Sequence, residues 1–381
     1  MTSTIGQQVH VERHDLRHAD GRWLYVYGDL RGDLSEHDSE AVELPALHQR
    51  FDALSDTWVA LSPARNARPN TTATTRHGAA ETPSCPLCPG GPEVPFSYEA
   101  AVFENRWPSY IADPPPVADD PRVAPSRGRC EVVLYTEAHV GSLATLDGAA
   151  LSTVVAVWRD RSADLWSDPA HAFVMVFENR GEAVGATISH PHGQIYAFDR
   201  LPPHIAVRVD VLARHRVATG ACLTCAVVAE DVAAPERHVV EGEHFMVAVP
   251  FAARWPFEVR IRARRHGLRR LTDLEPAEQV ELTSLLRAVV ARYDGLFGFD
   301  LPYMMVVQEG PADVPDWHLA VEFLPPHRSA DLTKIRASVE TAAGQFINDT
   351  LPEQSAARLA AVRVASRPEQ LVPTTVVRAD P

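Results

Sequence analysis

The sequence predicts an α+β protein made of two fused, similar units, each an antiparallel sheet with a helix packed on it. Three observations predict this. First, a Cys-x-x-Cys pair, a distant histidine and a further histidine occur twice in the same order: Cys85, Cys88, His139 and His190, then Cys222, Cys225, His266 and His318. Successive ligand candidates after each pair are 51 and 51 residues apart in the first half, then 41 and 52 in the second. Second, an amphipathic helix and an apolar strand lie between the two histidines of each set, so the repeat is one of whole supersecondary units. Third, 381 residues with 45% apolar content can fill a core for each unit. The expected boundaries are an N-terminal extension over 1–45, a first unit over 46–200, a second over 201–350, and a C-terminal helix and tail over 351–381.

Asp20-Gly21 is a turn signal, and the short strand Trp23 to Tyr27 follows it. The acidic stretch 29–43 reads as a surface loop. A strand through Trp58 and Leu61 leads to Ser62-Pro63-Ala64-Arg65-Asn66-Ala67-Arg68-Pro69, and residues 70–84, rich in Thr, Ala and Gly, form a loop that delivers Cys85-Pro86-Leu87-Cys88. Strands follow at Ala101 to Asn105 and Gly128 to Tyr135, then a helix from the N-cap Asp147 to about Leu165. In Ser189-His190-Pro191-His192-Gly193-Gln194 the proline holds the segment extended, which puts both imidazoles on a strand, two residues apart and on one face. In the second half, Pro256 to His266 lies on Gly128 to His139, pairing Glu131 with Glu258. The next helix shows Leu282, Leu285, Leu286, Val289, Val290 and Tyr293 at i, i+3, i+4 spacing. Tyr303 to Glu309 and Trp317-His318-Leu319-Ala320 complete the repeat, and residues after about 366 read as a tail.

A net charge of −14 would repel a phosphate polymer, which argues against a nucleic-acid partner while leaving room for a small phosphorylated ligand at a local basic cluster. No run of 18 apolar residues occurs, and the first residues have neither a basic start nor an apolar segment. The expectation is a cytoplasmic protein with no membrane partner. Lys334 is the one lysine in the chain.

Each Cys-Cys-His-His set offers four ligands and no spare position, the pattern of a closed tetrahedral zinc site with a structural role, one per half. In a cytosolic chain a redox dithiol is the other reading of each Cys-x-x-Cys pair. If His190 holds metal, His192 is left to react. Neutral imidazole is a nucleophile near pH 7 and a good leaving group from phosphorus. The second half has Ala320 at the matching position, so only one half keeps a nucleophile.

Phe177-Glu178-Asn179-Arg180-Gly181 followed by His190-Pro191-His192-Gly193-Gln194-Ile195 resembles the active-site signature of the galactose-1-phosphate uridylyltransferases, a branch of the histidine-triad superfamily. The resemblance extends from about residue 45 to 350 and implies two histidine-triad-like units. It also implies zinc at Cys85, Cys88, His139 and His190. The second histidine of the motif, His192, would attack the α-phosphorus of UDP-glucose and release glucose 1-phosphate. Galactose 1-phosphate would then take the uridylyl group to give UDP-galactose. Gln194 matches a phosphate-contacting glutamine, Arg65, Arg68 and Asn105 match nucleotide contacts, and Asn179 and Thr187 match substrate contacts. Lys334 and Glu340 match residues that serve the partner subunit's site, which implies a homodimer with shared active sites. Some members hold iron in the second half; here those positions read Gln308, Ala320 and Glu322. Arg106 stands where an acidic residue is common in the family, which motivates an alternative exchange on an ADP-sugar or a dinucleoside polyphosphate. A zinc-stabilised binding protein without turnover is a further alternative.

Overall fold

The computed structural model describes residues 8–30, 44, 47–67, 85–365 and 371–379. Arg68, most of the acidic stretch 29–43 and the loop 70–84 lie outside them. The chain starts with a hairpin, β1 (Val9–Arg17) and β2 (Trp23–Tyr27), reversed at Gly21 with φ +86°. β3 (His48–Asp52) and β4 (Thr57–Leu61) follow, then β5 (Ala100–Glu104). β6 (Val123–Pro125) pairs with β3 to complete a small three-stranded sheet. β7 (Gly128–Leu134), α1 (Gly148–Ser167), β8 (Phe173–Arg180) and β9 (His192–Phe198) finish the first half.

The second half opens with α2 (Pro203–Thr219) and α3 (Leu223–Val232). It continues with β10 (His238–Val240), β11 (Phe245–Ala248), β12 (Val259–Ala263), α4 (Pro276–Phe297), β13 (Tyr303–Gln308) and β14 (Ala320–Leu324). α5 (Ser338–Ala342), α6 (Pro352–Ala360) and β15 (Thr374–Arg378) close the chain. Among the described residues no single helix is long and apolar enough to cross a membrane.

α1 begins where Asp147 accepts a hydrogen bond from the Ala150 amide at 2.8 Å, satisfying one of the free donors of the first turn. α4 begins with Pro276, tied by Glu278 accepting from the Glu275 amide at 2.9 Å, and ends at Gly298 with φ +79°. Leu151, Val154, Val155 and Trp158 of α1 and Leu282, Leu285, Leu286 and Val289 of α4 bury one sheet face with Val133, Val176, Ile195, Ile261, Met305 and Val321. Each such side chain contributes roughly 1.5–3 kcal/mol when fully buried. Arg161 of α1 donates to both oxygens of the buried Glu131 on β7, at 2.8 and 3.0 Å, and fixes the helix against the strand.

The two units do not have separate sheets. Twelve strands run in the order β10-β11-β12-β14-β13-β8-β9-β7-β5-β2-β1-β15, joined by the antiparallel β8/β13 pair. Phe177 lies opposite Val306 at that join, opposite Gln194 on β9, and Val306 lies opposite Glu322 on β14. Phe177 and Val306 are therefore counterparts paired with each other, and a local two-fold axis passes between them. Residues 9–27, read as an extension, form two strands of this sheet. The expected tail supplies β15, which pairs in parallel with β1.

The strand register corrects two expectations. Glu131 and Glu258 are not counterparts: Val132 lies opposite Gln194 and Arg260 opposite Glu322, so Val132 matches Arg260 and Glu131 matches Val259. A one-residue slip sends a side chain to the other sheet face. Glu131 thus meets α1, whereas Glu258 braces a turn, accepting from the Arg254 and Trp255 amides at 2.6 and 3.1 Å. The second correction concerns His190, which does not share a strand with His192. β9 starts at His192, and Pro191, with no amide hydrogen to give to a ladder, marks its edge.

Candidate active site

The first cluster is assembled from the turn carrying Cys85 and Cys88, the loop after β7 carrying His139, and the approach to β9 carrying His190. Its four donor atoms lie within 4.8 Å of one another. Cys88 Sγ is 3.5 Å from His139 Nδ1 and 3.6 Å from His190 Nδ1. Ligands 2.0–2.3 Å from a tetrahedral ion stand roughly 3.3–3.8 Å apart, so the cluster has the dimensions of a metal site. The far nitrogen of His190, Nε2, is 2.8 Å from the Thr136 carbonyl and 3.1 Å from Tyr98 Oη. A proton held there leaves Nδ1 as a lone pair for the ion. Burial and Cys85 push the Cys88 thiol up to about 11, a repulsion that a bound cation relieves.

The second cluster, Cys222, Cys225, His266 and His318, meets the same limit but is built differently. Cys222 caps α3, its sulfur accepting from the Cys225 amide at 3.4 Å. His318 presents Nε2 to the sulfurs, at 3.4 Å from Cys225 and 3.7 Å from Cys222, and its Nδ1 lies 2.9 Å from the Ala263 carbonyl. One histidine ring is therefore turned relative to the other, yet in each the far nitrogen has a carbonyl partner.

His192 follows directly from the first cluster. Its Nδ1 is 2.7 Å from the carbonyl of His190. Donation there leaves Nε2 with its lone pair. The ring opens into a cavity of about 160 Å³ lined by Gln194, Asn105, Arg106, Thr187, Phe103 and Trp107, among others. Gln194 is two residues further along β9, and its side-chain oxygen has no hydrogen-bond partner among the described residues. Gly193 between them is required: a Cβ would lie 2.2 Å from Tyr135 Oη. The arrangement provides an oriented imidazole nucleophile, amide donors beside it and a cation, Arg106, at the wall, a set suited to displacement at phosphorus.

Comparison with known proteins decides the family. Residues 36–202 match the profile of the galactose-1-phosphate uridyl transferase N-terminal domain, and residues 208–370 match that of its C-terminal domain. The chain belongs to the galactose-1-phosphate uridyl transferase family. A galactose-1-phosphate uridylyltransferase of Thermotoga maritima is 40% identical over 81% of this chain and 96% of its own length. That of Haemophilus influenzae is 31% identical over 83% and 94%. A solved uridylyltransferase superposes with a TM-score of 0.74 at 29% identity, covering 83% of this chain and 98% of its own.

In this uridyl transferase chain the structure brings His192, Gln194, Asn105 and Thr187 together around one cavity. Asn105 turns its oxygen to the Trp107 amide at 2.9 Å, which leaves its NH₂ as a donor. Asn179 is on β8, and the register continued from Phe177 and Gln194 puts it across from His192. Arg65 does not line the cavity but lies beside it, 3.3 Å from the hydroxyl of Tyr196 on β9. Lys334 and Glu340 are not at His192. They are buried as an ion pair with each other, and Lys334 Nζ also donates to the Ile347 carbonyl. Sequence reasoning did not place Phe103, Trp107 and Val132 in the cavity wall. The alternation that carries Phe103 on β5 and Val132 on β7 was the available signal, but it needed the strand pairing to show which face meets His192; Trp107, beyond the end of β5, carried none.

Proposed function

We propose that this chain exchanges the uridylyl group between hexose 1-phosphates, UDP-glucose and galactose 1-phosphate giving glucose 1-phosphate and UDP-galactose, in two displacements at His192. The observation that carries the mechanism is the 2.7 Å contact between His192 Nδ1 and the His190 carbonyl. With its proton held there, Nε2 attacks the α-phosphorus, a P–N bond forms, and the P–O bond to the hexose 1-phosphate breaks. Gln194 and Asn105 donate to the oxygens as charge moves onto them. Attack by the second hexose 1-phosphate reverses the sequence. The adenylyl and non-catalytic alternatives have less support, since the relatives named above are uridylyltransferases and the nucleophile is present.

Zinc suits both clusters, two thiolates and two imidazoles with no open position, and would be structural at each. The units 46–200 and 201–350 are the two halves so held, and five cysteines with no disulfide among them fit a cytoplasmic setting. Lys334 and Glu340, which do not line the His192 cavity of their own chain, suit a homodimer in which each chain completes its partner's site. Inactive His192→Ala chains mixed with inactive Lys334→Ala chains should then regain activity; silence despite proven subunit exchange refutes sharing.

Incubation with UDP-glucose alone should add the mass of one UMP to the peptide holding His192, removable by galactose 1-phosphate. His192→Ala should lose the label and about 10³-fold or more of the transfer rate while keeping its metals. Label on any other residue overturns the assignment.

A further inference from the structure

A second cavity lies on the same sheet face, across the β8/β13 join from His192. It encloses about 600 Å³. The two-fold relation makes it the counterpart of the His192 cavity, with Ala320 for His192 and Glu322 for Gln194. The apolar positions Val132, in the cavity wall, and Leu134, further along the same strand, become Arg260 and Arg262. Arg208, Arg254 and Arg336 complete a lining of five guanidiniums, with Glu322 the one carboxylate among the lining residues.

The pairs around this cavity do not cancel its charge. Arg208 reaches Glu322 at 3.0 Å, Arg260 reaches Glu258 at 2.8 Å, and Arg262 reaches Asp231 at 3.0 Å. Five guanidiniums thus meet three carboxylates, and Asp231 is shared with Arg237 at 2.7 Å. Glu322 registers the excess. Burial alone would raise its carboxyl, yet Arg260, Arg208 and Arg254 hold it at about 2. Burial and the neighbouring Arg260 push Arg262 down to about 10. An anion in the cavity relieves that repulsion on Arg262.

The cluster is also held in place. Arg254 and Arg336 lie over Phe346 with 5.3 and 5.1 Å to its centroid, and Arg208 lies over Trp317 at 5.1 Å. The turn that carries Arg254 and Trp255 to the cavity places Phe257 at φ +53°, a region bulky side chains avoid, and Glu258 holds it there. Gln308, 8% exposed, lines the cavity with a side-chain oxygen that has no partner among the described residues.

We propose that this cavity binds the phosphate of a small phosphorylated metabolite without reacting with it. Guanidinium forks match phosphate oxygens, and the space beyond, walled by Trp317, Met304 and Leu324, takes the rest of a molecule the size of a hexose phosphate. Ala320 supplies no nucleophile, so the ligand leaves unchanged. The site lies three strand spacings from His192 across the sheet, roughly 14 Å, and is therefore separate from the transfer site.

Inorganic phosphate and glucose 6-phosphate, titrated calorimetrically into the full chain at constant ionic strength, test this. Two phosphate sites per chain are expected. Arg208→Gln with Arg254→Gln should weaken one of them at least tenfold while uridylyl transfer in phosphate-free buffer stays unchanged. Ala320→Glu, which adds a carboxylate inside the cavity and removes no wall contact, should abolish the same site, so a misfolded arginine variant leaves the test intact. Tighter binding of glucose 6-phosphate than of phosphate identifies a phosphorylated sugar as the ligand; equal binding identifies free phosphate. A single site in the unmodified chain, or two sites undiminished in Ala320→Glu, overturns the proposal.

Discussion

Across the local two-fold axis, His192-Gly193-Gln194 faces Ala320-Val321-Glu322 on equivalent strands, and Val132 and Leu134 face Arg260 and Arg262. The helix-covered side of the same strands differs less: Val133 answers to Ile261, and Ile195 to Phe323. Alternation along a strand separates the two demands. One face must fit α1 and α4 and stays mostly apolar, with Glu131 against Val259 and Glu178 against Val307 as its charged exceptions, while the other is open to change. The difference between the halves teaches that the scaffold and the chemistry were carried by alternate residues of one set of strands. The two Cys-Cys-His-His clusters follow the scaffold, since both halves keep all four residues although only one keeps a histidine at the His192 position.

That comparison is open to attack at several points. The largest effect is expected from the metals. Cys85→Ser and Cys222→Ser should each remove one metal per chain and cost more than about 4 kcal/mol, in the class of lost metal sites. Only Cys85→Ser should also abolish transfer, because the ring of His190, whose carbonyl orients His192, belongs to the first cluster. Metal analysis with denaturant unfolding and turnover checks this; equal loss of activity in both variants would refute the division of roles.

A smaller effect concerns Glu178, whose counterpart across the axis is the apolar Val307. Burial pushes the Glu178 carboxyl up to about 7, against Arg180 and a hydrogen bond from Tyr303 at 3.1 Å. Between about 4.5 and 7 the folded chain keeps a proton that the unfolded chain has released. Its contribution therefore falls as pH rises through that window, by on the order of 3 kcal/mol in all. Glu178→Gln should flatten that part of the stability curve from pH 5 to 8, and an unchanged slope would show that the carboxyl titrates normally.

The smallest effect is at Gly193. Its counterpart Val321 is tolerated because Ala263 stands where the first half has Tyr135. Gly193→Ala should cost about 1–3 kcal/mol by overpacking against Tyr135 Oη. Adding Tyr135→Phe should return part of it in thermal melts, and no rescue would mean that the Phe177 carbonyl, 3.0 Å from the added carbon, is the true obstacle.

Much of this was legible in the sequence. Repetition of Cys-x-x-Cys and two histidines exposed the duplication and the two groups of side chains that the fold gathers, because cysteine and histidine recurring in one order at reachable spacing is a pattern carried by residue type. Asp147 and the 3.6-residue pattern of Leu282 to Tyr293 marked the two helices. What sequence could not resolve was register. Glu131 and Glu258 align by eye, but their strands differ by one step, and only pairing reveals that. The five arginines around the second cavity come from α2, a turn, β12 and the segment before α5, so no local pattern joins them. β15 was read as tail because its partner β1 lies more than 350 residues away, beyond any local signal.

The pairing of Phe177 with its own counterpart Val306 has a consequence for descent. A strand that meets its equivalent across a two-fold axis is the contact of two identical subunits in an isologous dimer. The β8/β13 join has the geometry of such a contact within one chain, with α2 and α3 inside the segment that links the two halves. In a dimer of identical chains every substitution appears twice, so a lost nucleophile is lost on both sides. Once the copies share one chain, each position mutates alone. One half can then carry His192 while the other carries Ala320 and a cavity lined by arginines.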